Sequence, residues 1–309
     1  MQITVKHTLT LADYLRALHP DTSKNAHKKL LEHDRVKVNG VVVRLGKTLL
    51  QPGDRVEISR KVFRQRLHPE LDLLYEDEHL VVLHKKQNLL TIATEKEREK
   101  TVYAYLASHV KSQNPENKIF IVHRLDRDAS GLLVFARSQT IKRKLQEQFR
   151  SHSTTRGYIA LVEGRVQPES GTLENHLAEN RAYKVYVTGN ARHGKLAVTH
   201  FRVVRRVAKY SWLEIKTETG RKHQIRVQLA AFGHPIIGDK EYGSTRNPLN
   251  RLGLHAHLLG FEHPVTGKRM KFEVEAPLPF RRMFALARPN STSQPGEPQA
   301  GSTSRTRER

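Results

Sequence analysis

The sequence has 309 residues, of which 37% are hydrophobic, so length and composition suggest roughly two domains with ordinary packed cores. It contains no cysteine, which excludes disulfides, thiolate metal sites and cysteine nucleophiles. It has no apolar run long enough to span a membrane and no signal-peptide-like apolar stretch near Met1, and we expect a cytoplasmic protein.

The charge of the chain is strongly positive. The sequence carries 54 Lys and Arg residues against 31 Asp and Glu residues, which gives a net charge of +23. Such a charge attracts polyanions, and contacts of Lys and Arg to phosphates dominate the affinity of proteins for nucleic acids. Because the excess is spread along the chain, it favours a folded basic surface that binds RNA or DNA. An anionic membrane surface or simple solubility is the alternative explanation.

Residues 1–62 are predicted to form a small α/β domain. Residues 9–18 read as a short amphipathic helix. A second helix is predicted through residues 25–31, where the hydroxyl of Ser23 is placed to accept from the exposed first-turn amides. Apolar positions alternate on both sides of Asn39-Gly40, and because both of these residues tolerate positive φ, the pair predicts a β-hairpin.

This segment resembles an RNA-binding domain of the ribosomal protein S-four type. The matching stretches are Ser23-Lys24-Asn25-Ala26, Lys29-Leu30-Leu31, Val36-Lys37-Val38-Asn39-Gly40 and Pro52-Gly53-Asp54-Arg55-Val56. The Arg-Leu-Asp that usually opens such a domain is absent, so the first helix is matched only loosely. The resemblance implies that the basic face of the second helix, with Lys24, Lys28 and Lys29, docks on RNA. A solvated helix face on an unrelated small domain is the alternative.

Residues 63–288 are predicted to form a second, larger domain. Apolar, β-rich runs at residues 80–83, 131–136 and 158–162 alternate with helical segments such as residues 141–149. This order predicts an α+β fold with a mixed, mostly antiparallel central sheet.

The last segment, residues 289–309, is rich in Ser, Thr, Pro, Gly and Gln and is basic at its end. Because it cannot bury enough apolar surface to order itself, we expect a disordered basic tail.

A polar loop between two apolar runs is the first candidate site. Residues 119–122 are apolar, the loop carries Arg124, Asp126 and Asp128, and a second apolar run begins at Gly131. Charged residues pressed between core strands are costly unless they are paired. The pattern alone therefore leaves two interpretations open, a structural Arg–Asp pair that organises a turn and a catalytic carboxylate.

The second candidate site lies in residues 217–229. Thr219-Gly220 reads as a helix start and Gly233 as its stop. Lys222 and Arg226 stand four residues apart and would form a basic row on one helix face. Such a row near a helix N-terminus suits phosphate, because the exposed amides and the helix dipole add to the charge. A solvated helix face is the alternative.

Residues 70–285 together resemble the RluA-type pseudouridine synthases. The order and spacing of several motifs carry the resemblance. They are His123-Arg124-Leu125-Asp126 with Ser130-Gly131-Leu132-Leu133, Arg156-Gly157-Tyr158-Ile159-Ala160, Thr219-Gly220-Arg221-Lys222-His223-Gln224-Ile225-Arg226, Gly233-His234-Pro235-Ile236-Ile237-Gly238-Asp239, Tyr242-Gly243, Leu254-His255-Ala256 and His263-Pro264-Val265-Thr266-Gly267.

The resemblance implies an isomerisation of uridine in RNA, in which the bond from ribose to the base nitrogen breaks and the base is rejoined through its carbon 5. It assigns the role of nucleophile to Asp126, and carboxylates do form covalent intermediates with sugars. Tyr158 would stack on the base and assist proton removal. Arg226 would pair with Asp126 and favour its charged form. Arg124 would hold the uridine flipped out of its stack, since the reacting atoms are inaccessible in a duplex.

Further RNA contacts are expected from Arg127, Arg221 and Lys222. The resemblance implies no cofactor, since the reaction is an internal rearrangement, and we expect no metal site despite the 18 histidines. The expected partner is RNA. Ribosomal RNA is favoured over tRNA, because family members with the extra N-terminal domain often act on large-subunit ribosomal RNA. We expect a monomer.

The sequence departs from the family at three places. Lys85-Lys86-Gln87-Asn88 stands where the family usually has Lys-Pro-x-Gly, which changes the backbone restrictions of that loop. Ala129 replaces a usual Thr, and Arg156 replaces a frequent Lys. We therefore expect one wall of the site to differ.

The sequence is compatible with three functions. The leading hypothesis is an active RNA pseudouridine synthase. The second is a catalytically silent RNA-binding or ribosome-assembly factor on the same fold, which the altered loop and Ala129 would favour. The third is a basic DNA-binding protein, which would leave the surroundings of Asp126 unexplained.

Overall fold

The computed structural model describes residues 2–32, 35–39, 41–43, 46–59, 65–95 and 97–285. The predicted tail at 289–309 and both predicted domain boundaries, after residue 62 and after residue 288, lie outside the described residues. Within the described ranges, no helix is long and apolar enough to cross a membrane.

The N-terminal unit contains two helices and short strands. In chain order these are β1 (Gln2–Thr4), β2 (Leu9–Thr10), α1 (Leu11–Leu18), α2 (Lys24–Glu32), β3 (Val36–Val38), β4 (Val41–Val42), β5 (Leu49–Leu50) and β6 (Arg55–Ile58). Four strands form an antiparallel sheet in the order β1-β6-β3-β4, and β2 pairs with β5. The unit has its own apolar core, built around Leu11, Leu15, Val36, Leu50 and Val56.

The local predictions for this unit are largely confirmed. The first helix begins at Leu11, two residues later than predicted, because the residues before it pair with β5. The second helix is present, and the Ser23 hydroxyl accepts from Ala26 N at 3.2 Å. Val38 pairs with Val41, which leaves the predicted two-residue hairpin loop between them. Asn39 has a φ of +51°, and Gly40 lies outside the described residues.

The larger unit is built on one twelve-stranded sheet. Its strands are β7 (Gln65–His68), β8 (Leu71–Glu76), β9 (Leu80–Lys85), β10 (Phe120–Ile121), β11 (Ser130–Ala136), β12 (Thr155–Glu163), β13 (Ser170–Glu179), β14 (Val185–Thr188), β15 (Lys195–Val207), β16 (Tyr210–Thr217), β17 (Leu254–Glu262) and β18 (Arg269–Glu273). The main path runs β14-β13-β15-β16-β12-β17-β11-β9-β8-β7, while β10 pairs with β11 and β18 with β17. Only the pair β11–β17 is parallel among the described strands, which confirms the predicted α+β fold with a mixed, mostly antiparallel sheet.

Helices pack around this sheet. They are α3 (Val102–Gln113), α4 (Gln139–Arg150), α5 (Gln224–Ala231), α6 (Leu278–Ala285) and a short 3-10 helix (Lys240–Tyr242). The helix predicted at residues 141–149 is confirmed as α4, and the Ser138 hydroxyl caps it by accepting from Ile141 N at 3.2 Å.

The strand β11 lies at the centre of the sheet and is buried along its whole length. It begins at a close backbone approach, where Gly131 pairs with Ala256 of β17. A Cβ at Gly131 would lie 2.3 Å from the Ala256 carbonyl oxygen, and the φ of Gly131 is +131°. Only glycine fits this position. The approach fixes the end of the loop that carries Asp126.

Candidate active site

Asp126 lies in the loop between β10 and β11. Thr91, which is not part of this loop, binds its backbone at Leu125. The Thr91 hydroxyl donates to the Leu125 carbonyl oxygen at 2.7 Å and accepts from the Leu125 N–H at 3.2 Å. Both groups are buried. The backbone immediately before Asp126 is therefore fixed by a side chain that lies 34 residues away in the sequence.

The other side of the loop is held by Lys85, which is fully buried at the end of β9. Its ammonium group donates to the carbonyl oxygens of Lys86, Arg127 and Ala129 at 3.0, 2.9 and 2.6 Å. Burial lowers the pKa of Lys85 to about 7, and the nearby charge of Asp126 opposes this shift. All three acceptors are carbonyl oxygens, so the hydrogen-bond set is complete only when the amine carries three protons.

The atypical loop after Lys85 keeps a left-handed residue. Asn88 has a φ of +63° at the position where the related motif has glycine, and Asn is among the few other residues that adopt this conformation readily. The Lys86 N–H donates to the Glu70 carbonyl oxygen at 2.9 Å, a bond that proline cannot make. Asn88 thus supplies the left-handed residue of this loop, and Lys86 adds a backbone hydrogen bond in place of the proline.

The start predicted at Thr219-Gly220 for the helix of the second candidate site is wrong. The helix α5 begins at Gln224 rather than at Thr219, because the Gln224 side-chain oxygen accepts from the Thr219 hydroxyl at 2.8 Å and from the Arg221 N–H at 3.0 Å. These bonds fold the preceding residues into a turn. The turn ends at His223, whose φ is +52°.

The predicted end of this helix is confirmed. Gly233 has a φ of +84°, and its N–H donates to the Ala230 carbonyl oxygen at 3.0 Å. The next N–H, from His234, donates to the Leu229 carbonyl oxygen at 2.9 Å. This pair of reverse bonds is the usual way in which a glycine ends a helix.

The predicted basic row is also wrong, because Lys222 lies in the turn before the helix. Its ammonium group pairs with Glu179 and donates to the Tyr183 carbonyl oxygen at 2.8 Å. Arg226 points into the protein instead and is bound by carboxylates. The two side chains therefore do not form a common phosphate site at the helix N-terminus.

Arg226 is held chiefly by Asp239. Its Nε and Nη2 donate to the two Asp239 oxygens at 2.7 and 2.8 Å, and Nη2 also donates to Glu241 at 2.8 Å. The guanidinium lies over the Tyr242 ring, 4.8 Å from its centroid. Burial alone would lower the pKa of Arg226. The hydrogen bonds and charge of Asp239 and the charges of Asp126 and Glu241 outweigh burial, so the pKa lies above its usual value.

Asp126 lies at a longer distance from this arginine. The distance from Arg226 Nη1 to Asp126 Oδ2 is 3.4 Å, and His223 Nε2 lies 3.7 Å from the other oxygen, Oδ1. The Asp126 side chain keeps 18% of its surface exposed. The carboxylate is thus faced by two donors without being enclosed by them.

Tyr158 completes the centre of the site. It lies on β12, where the pairing with β17 shifts register between Gly157 and Tyr158. Burial raises the pKa of the Tyr158 hydroxyl, Arg156 opposes the rise, and Asp126 adds to it. The phenol is therefore neutral at physiological pH.

One cleft brings together all three residues predicted to be catalytic, Asp126, Tyr158 and Arg226. Arg124 and Arg221 also line it, and the Arg124 side chain is exposed. The other residues predicted to bind RNA lie outside the lining. Arg127 is exposed and pairs with Asp128, Lys222 is held as described above, and Lys24, Lys28 and Lys29 lie on α2.

Four residues with contacts at the site received no role from the sequence, although three of them stand in the matched motifs. They are His223, Asp239, Glu241 and Tyr242. For His223, Asp239 and Tyr242, the position in the motifs was the available signal. Their chemistry was not readable, because it depends on contacts that the tertiary fold creates.

Comparison with known proteins gives two family matches. The family model described as RNA pseudouridylate synthase matches residues 79–231, and the family model described as S4 domain matches residues 9–56. The second match confirms the predicted N-terminal RNA-binding domain.

Relatives align over most of the chain. A Bacillus subtilis protein named uncharacterized RNA pseudouridine synthase YhcT is 34% identical over 263 residues, which are 83% of this chain and 86% of the relative. Ribosomal large subunit pseudouridine synthase D of Haemophilus ducreyi is 31% identical over 304 residues, which are 90% and 92% of the two chains.

Two solved structures share the fold. Human RNA Pseudouridylate Synthase Domain Containing 4 has a TM-score of 0.57 at 22% identity and covers 71% of this chain and 94% of that one. Human RNA Pseudouridylate Synthase Domain Containing 1 has a TM-score of 0.55 at 23% identity and covers 70% and 87%. With these folds, and with relatives that align over nearly their full length, the chain belongs to the RNA pseudouridine synthase family and isomerises uridine in RNA.

Proposed function

We propose that this chain converts specific uridines of structured ribosomal RNA to pseudouridine, with Asp126 as the nucleophile. The observation that carries the proposal is the grouping of Asp126, Tyr158 and Arg226 in one cleft, with Arg226 Nη1 3.4 Å from the Asp126 carboxylate. Ribosomal RNA is the proposed substrate because relatives in Haemophilus ducreyi and Pasteurella multocida carry the name ribosomal large subunit pseudouridine synthase D.

The chemistry needs no outside reactant. The bond between the ribose C1′ and the base N1 breaks, a bond between C1′ and the base C5 forms, C5 loses a proton and N1 gains one. Asp126 supplies the carboxylate that drives the cleavage, and a carboxylate can form a covalent intermediate in such steps. Tyr158 stacks on the base, and because its raised pKa keeps the phenol neutral, it assists loss of the C5 proton as a relay that passes on its own hydroxyl proton.

Arg226 has a supporting role in this scheme. Because Asp239 and Glu241 bind its guanidinium on the other side, Arg226 favours the charged carboxylate of Asp126 electrostatically and leaves its oxygens open to the substrate.

The uridine reaches Asp126 by leaving its base stack, because the reacting atoms are inaccessible in a duplex. Arg124 is exposed at the cleft and is proposed to hold the flipped nucleotide. Arg127, Arg221 and Lys222 are proposed to contact the flanking RNA, and Lys24, Lys28 and Lys29 to dock the N-terminal domain. The domain limits 1–62, 63–288 and 289–309, the monomeric state and the cytoplasmic location stay predictions.

The test is a map of pseudouridine in cellular RNA that lacks the modification. The RNA is incubated with the wild-type protein or with Asp126→Asn, a variant that keeps the shape of the side chain. We expect new pseudouridines in ribosomal RNA with the wild type alone. Identical maps for the two proteins would remove Asp126 from the mechanism, and pseudouridine confined to tRNA would overturn the proposed substrate.

A further inference from the structure

His223 occupies a special place between Asp126 and the 3-10 helix at residues 240–242. Its Nε2 lies 3.7 Å from Asp126 Oδ1, and its Nδ1 lies 2.8 Å from the Tyr242 hydroxyl and 3.7 Å from Glu241 Oε1. The ring also meets the Tyr242 ring edge-on, with the centroids 5.6 Å apart. The imidazole thus lies between the carboxylate of Asp126 and the hydroxyl of Tyr242, which no step of the reaction uses.

The protein backbone is strained to place this ring. His223 has a φ of +52°, which is uncommon for residues other than glycine, and it stands immediately before α5. The Gln224 side chain fixes the turn by accepting from Thr219 and Arg221. Strained residues that the surrounding bonds hold in place often serve a site directly.

The tautomer of the ring follows from its partner. Burial raises the pKa of the Tyr242 hydroxyl to about 12, so it keeps its proton, and the backbone of Val185 also hydrogen-bonds it. A phenol that keeps its proton can donate it to Nδ1 of a neutral imidazole, and the Asp126 carboxylate 3.7 Å from Nε2 favours the tautomer with the hydrogen on Nε2. That N–H faces Asp126.

The ring is neutral because of its surroundings. Burial lowers the pKa of His223, Asp126 and Glu241 oppose the shift, and the positive charges of Arg226 and Lys222 add to it. Together with the Tyr242 hydroxyl, these are the titratable and charged groups that face the ring from the loop before β11, from α5 and its preceding turn, and from the 3-10 helix. A neutral donor orients a carboxylate with less attraction than a second cation would exert.

We propose that His223 is a positioning residue for Asp126, held as the Nε2–H tautomer by Tyr242 and directing that N–H at Oδ1 while Arg226 faces Oδ2. The inference rests on the proposed role of Asp126 as nucleophile. It assigns the Tyr242–His223 pair the task of fixing the rotation of the carboxylate, so that one oxygen points at the flipped uridine.

Two substitutions at His223 distinguish the effect of the side-chain N–H donor from the effect of the backbone conformation. Asn tolerates the left-handed conformation, but its short side chain does not reach Asp126, whereas Gln places an amide N–H near the position of Nε2. We expect the single-turnover rate of His223→Asn at saturating RNA to fall roughly 10- to 100-fold with the Kd for RNA nearly unchanged, since small misplacements of reacting groups have effects of this size. His223→Gln should recover most of that loss.

The pH profile supplies a readout that a purely structural role would not change. Protonation of the wild-type ring creates an imidazolium that pairs tightly with Asp126, so the rate falls on the acid side. Both His223 variants should show a less steep acid limb. Tyr242→Phe removes the donor that stabilises the neutral ring, which raises the pKa of His223 and moves the acid limb to higher pH.

The controls distinguish the possible failures. His193→Asn, on an exposed loop, should keep the wild-type rate and pH profile. If the wild type makes pseudouridine, Asp126→Asn does not, and His223→Asn equals the wild type in rate and profile, the positioning role is wrong while the proposed function stands. Equal losses in His223→Asn and His223→Gln also overturn it. If a His223 variant does not fold, an unshifted acid limb in Tyr242→Phe overturns the positioning role instead.

Discussion

Arg226 binds Asp239 more closely than it binds Asp126. The two bonds to Asp239 measure 2.7 and 2.8 Å, whereas the distance from Nη1 to Asp126 is 3.4 Å. The Asp239 side chain is 1% exposed. The arginine is therefore part of a buried ion pair first and a neighbour of Asp126 second.

This arrangement predicts a large stability effect for Arg226→Gln. The change leaves the buried Asp239 carboxylate without its cation, and breaking a buried pair in this way costs about 3–5 kcal/mol in the free energy of unfolding. Urea denaturation measures it. Arg202→Gln, which breaks the exposed pair with Glu214, is the matched control and should lose at most about 1 kcal/mol. Equal losses for both variants would contradict the buried pair.

Gly131→Ala should be severely destabilising. The new Cβ would meet the Ala256 carbonyl oxygen, and the φ of +131° adds backbone strain, so we expect a loss of at least about 3 kcal/mol. Gly53→Ala is the control, because Gly53 also has a positive φ but open space around it, and it should lose about 1 kcal/mol. Thermal unfolding of the two variants compares them, and a smaller loss at Gly131 would show that the strands separate easily.

The atypical loop after Lys85 predicts a tolerant position at Asn88. Asn88→Gly should keep stability and activity close to wild type, because glycine also adopts a φ of +63°. Asn88→Ala should lose about 1 kcal/mol through strain alone. Denaturation and single-turnover assays on the two variants test this, and a neutral Asn88→Ala would contradict the left-handed conformation.

The buried His255 predicts acid sensitivity. Burial, with the electrostatic influence of His84 and Arg251, lowers its pKa to about 3, whereas the unfolded chain has a His pKa near 6.5. Between about pH 6.5 and 3 the unfolded state binds the extra proton, so His255 adds a loss of stability of up to about 1.4 kcal/mol per pH unit as the pH falls.

Urea titrations from pH 7 to 4 measure this slope. His255→Asn should reduce it, and His193→Asn, at an exposed position, should leave it as in the wild type. A slope that is the same in all three proteins would mean that His255 is protonated in the folded state.

The sequence predicted most of the fold and the three residues at the centre of the site, because these depend on local patterns and on ordered motifs. The strand β11, the helix α4 and the hairpin at Asn39 follow from apolar runs and turn residues that act locally. Asp126 and Tyr158 could be placed in one site only through the family resemblance, since they lie 32 positions apart in the chain.

The failures have a common physical cause. The helix α5 begins late because the Gln224 side chain captures the preceding turn and also donates to the Val198 carbonyl oxygen at 3.0 Å, 26 residues away. Lys222 is drawn to Glu179, on β13. Val198 and Glu179 lie on other strands of the sheet, so no periodicity within residues 217–229 contains these two partners.

The parallel pairing of β11 with β17 has a consequence for the whole site. It comprises two residue pairs, Ser130 with His255 and Gly131 with Ala256, and it is the seam between two halves of the sheet. Asp126 and its supports from β9 belong to one half, whereas Tyr158 and Arg226 belong to the other. Within the sheet, Asp126 is therefore connected to Tyr158 and Arg226 through a joint only two residue pairs long. Mutations that loosen this joint would reduce turnover without touching the substrate.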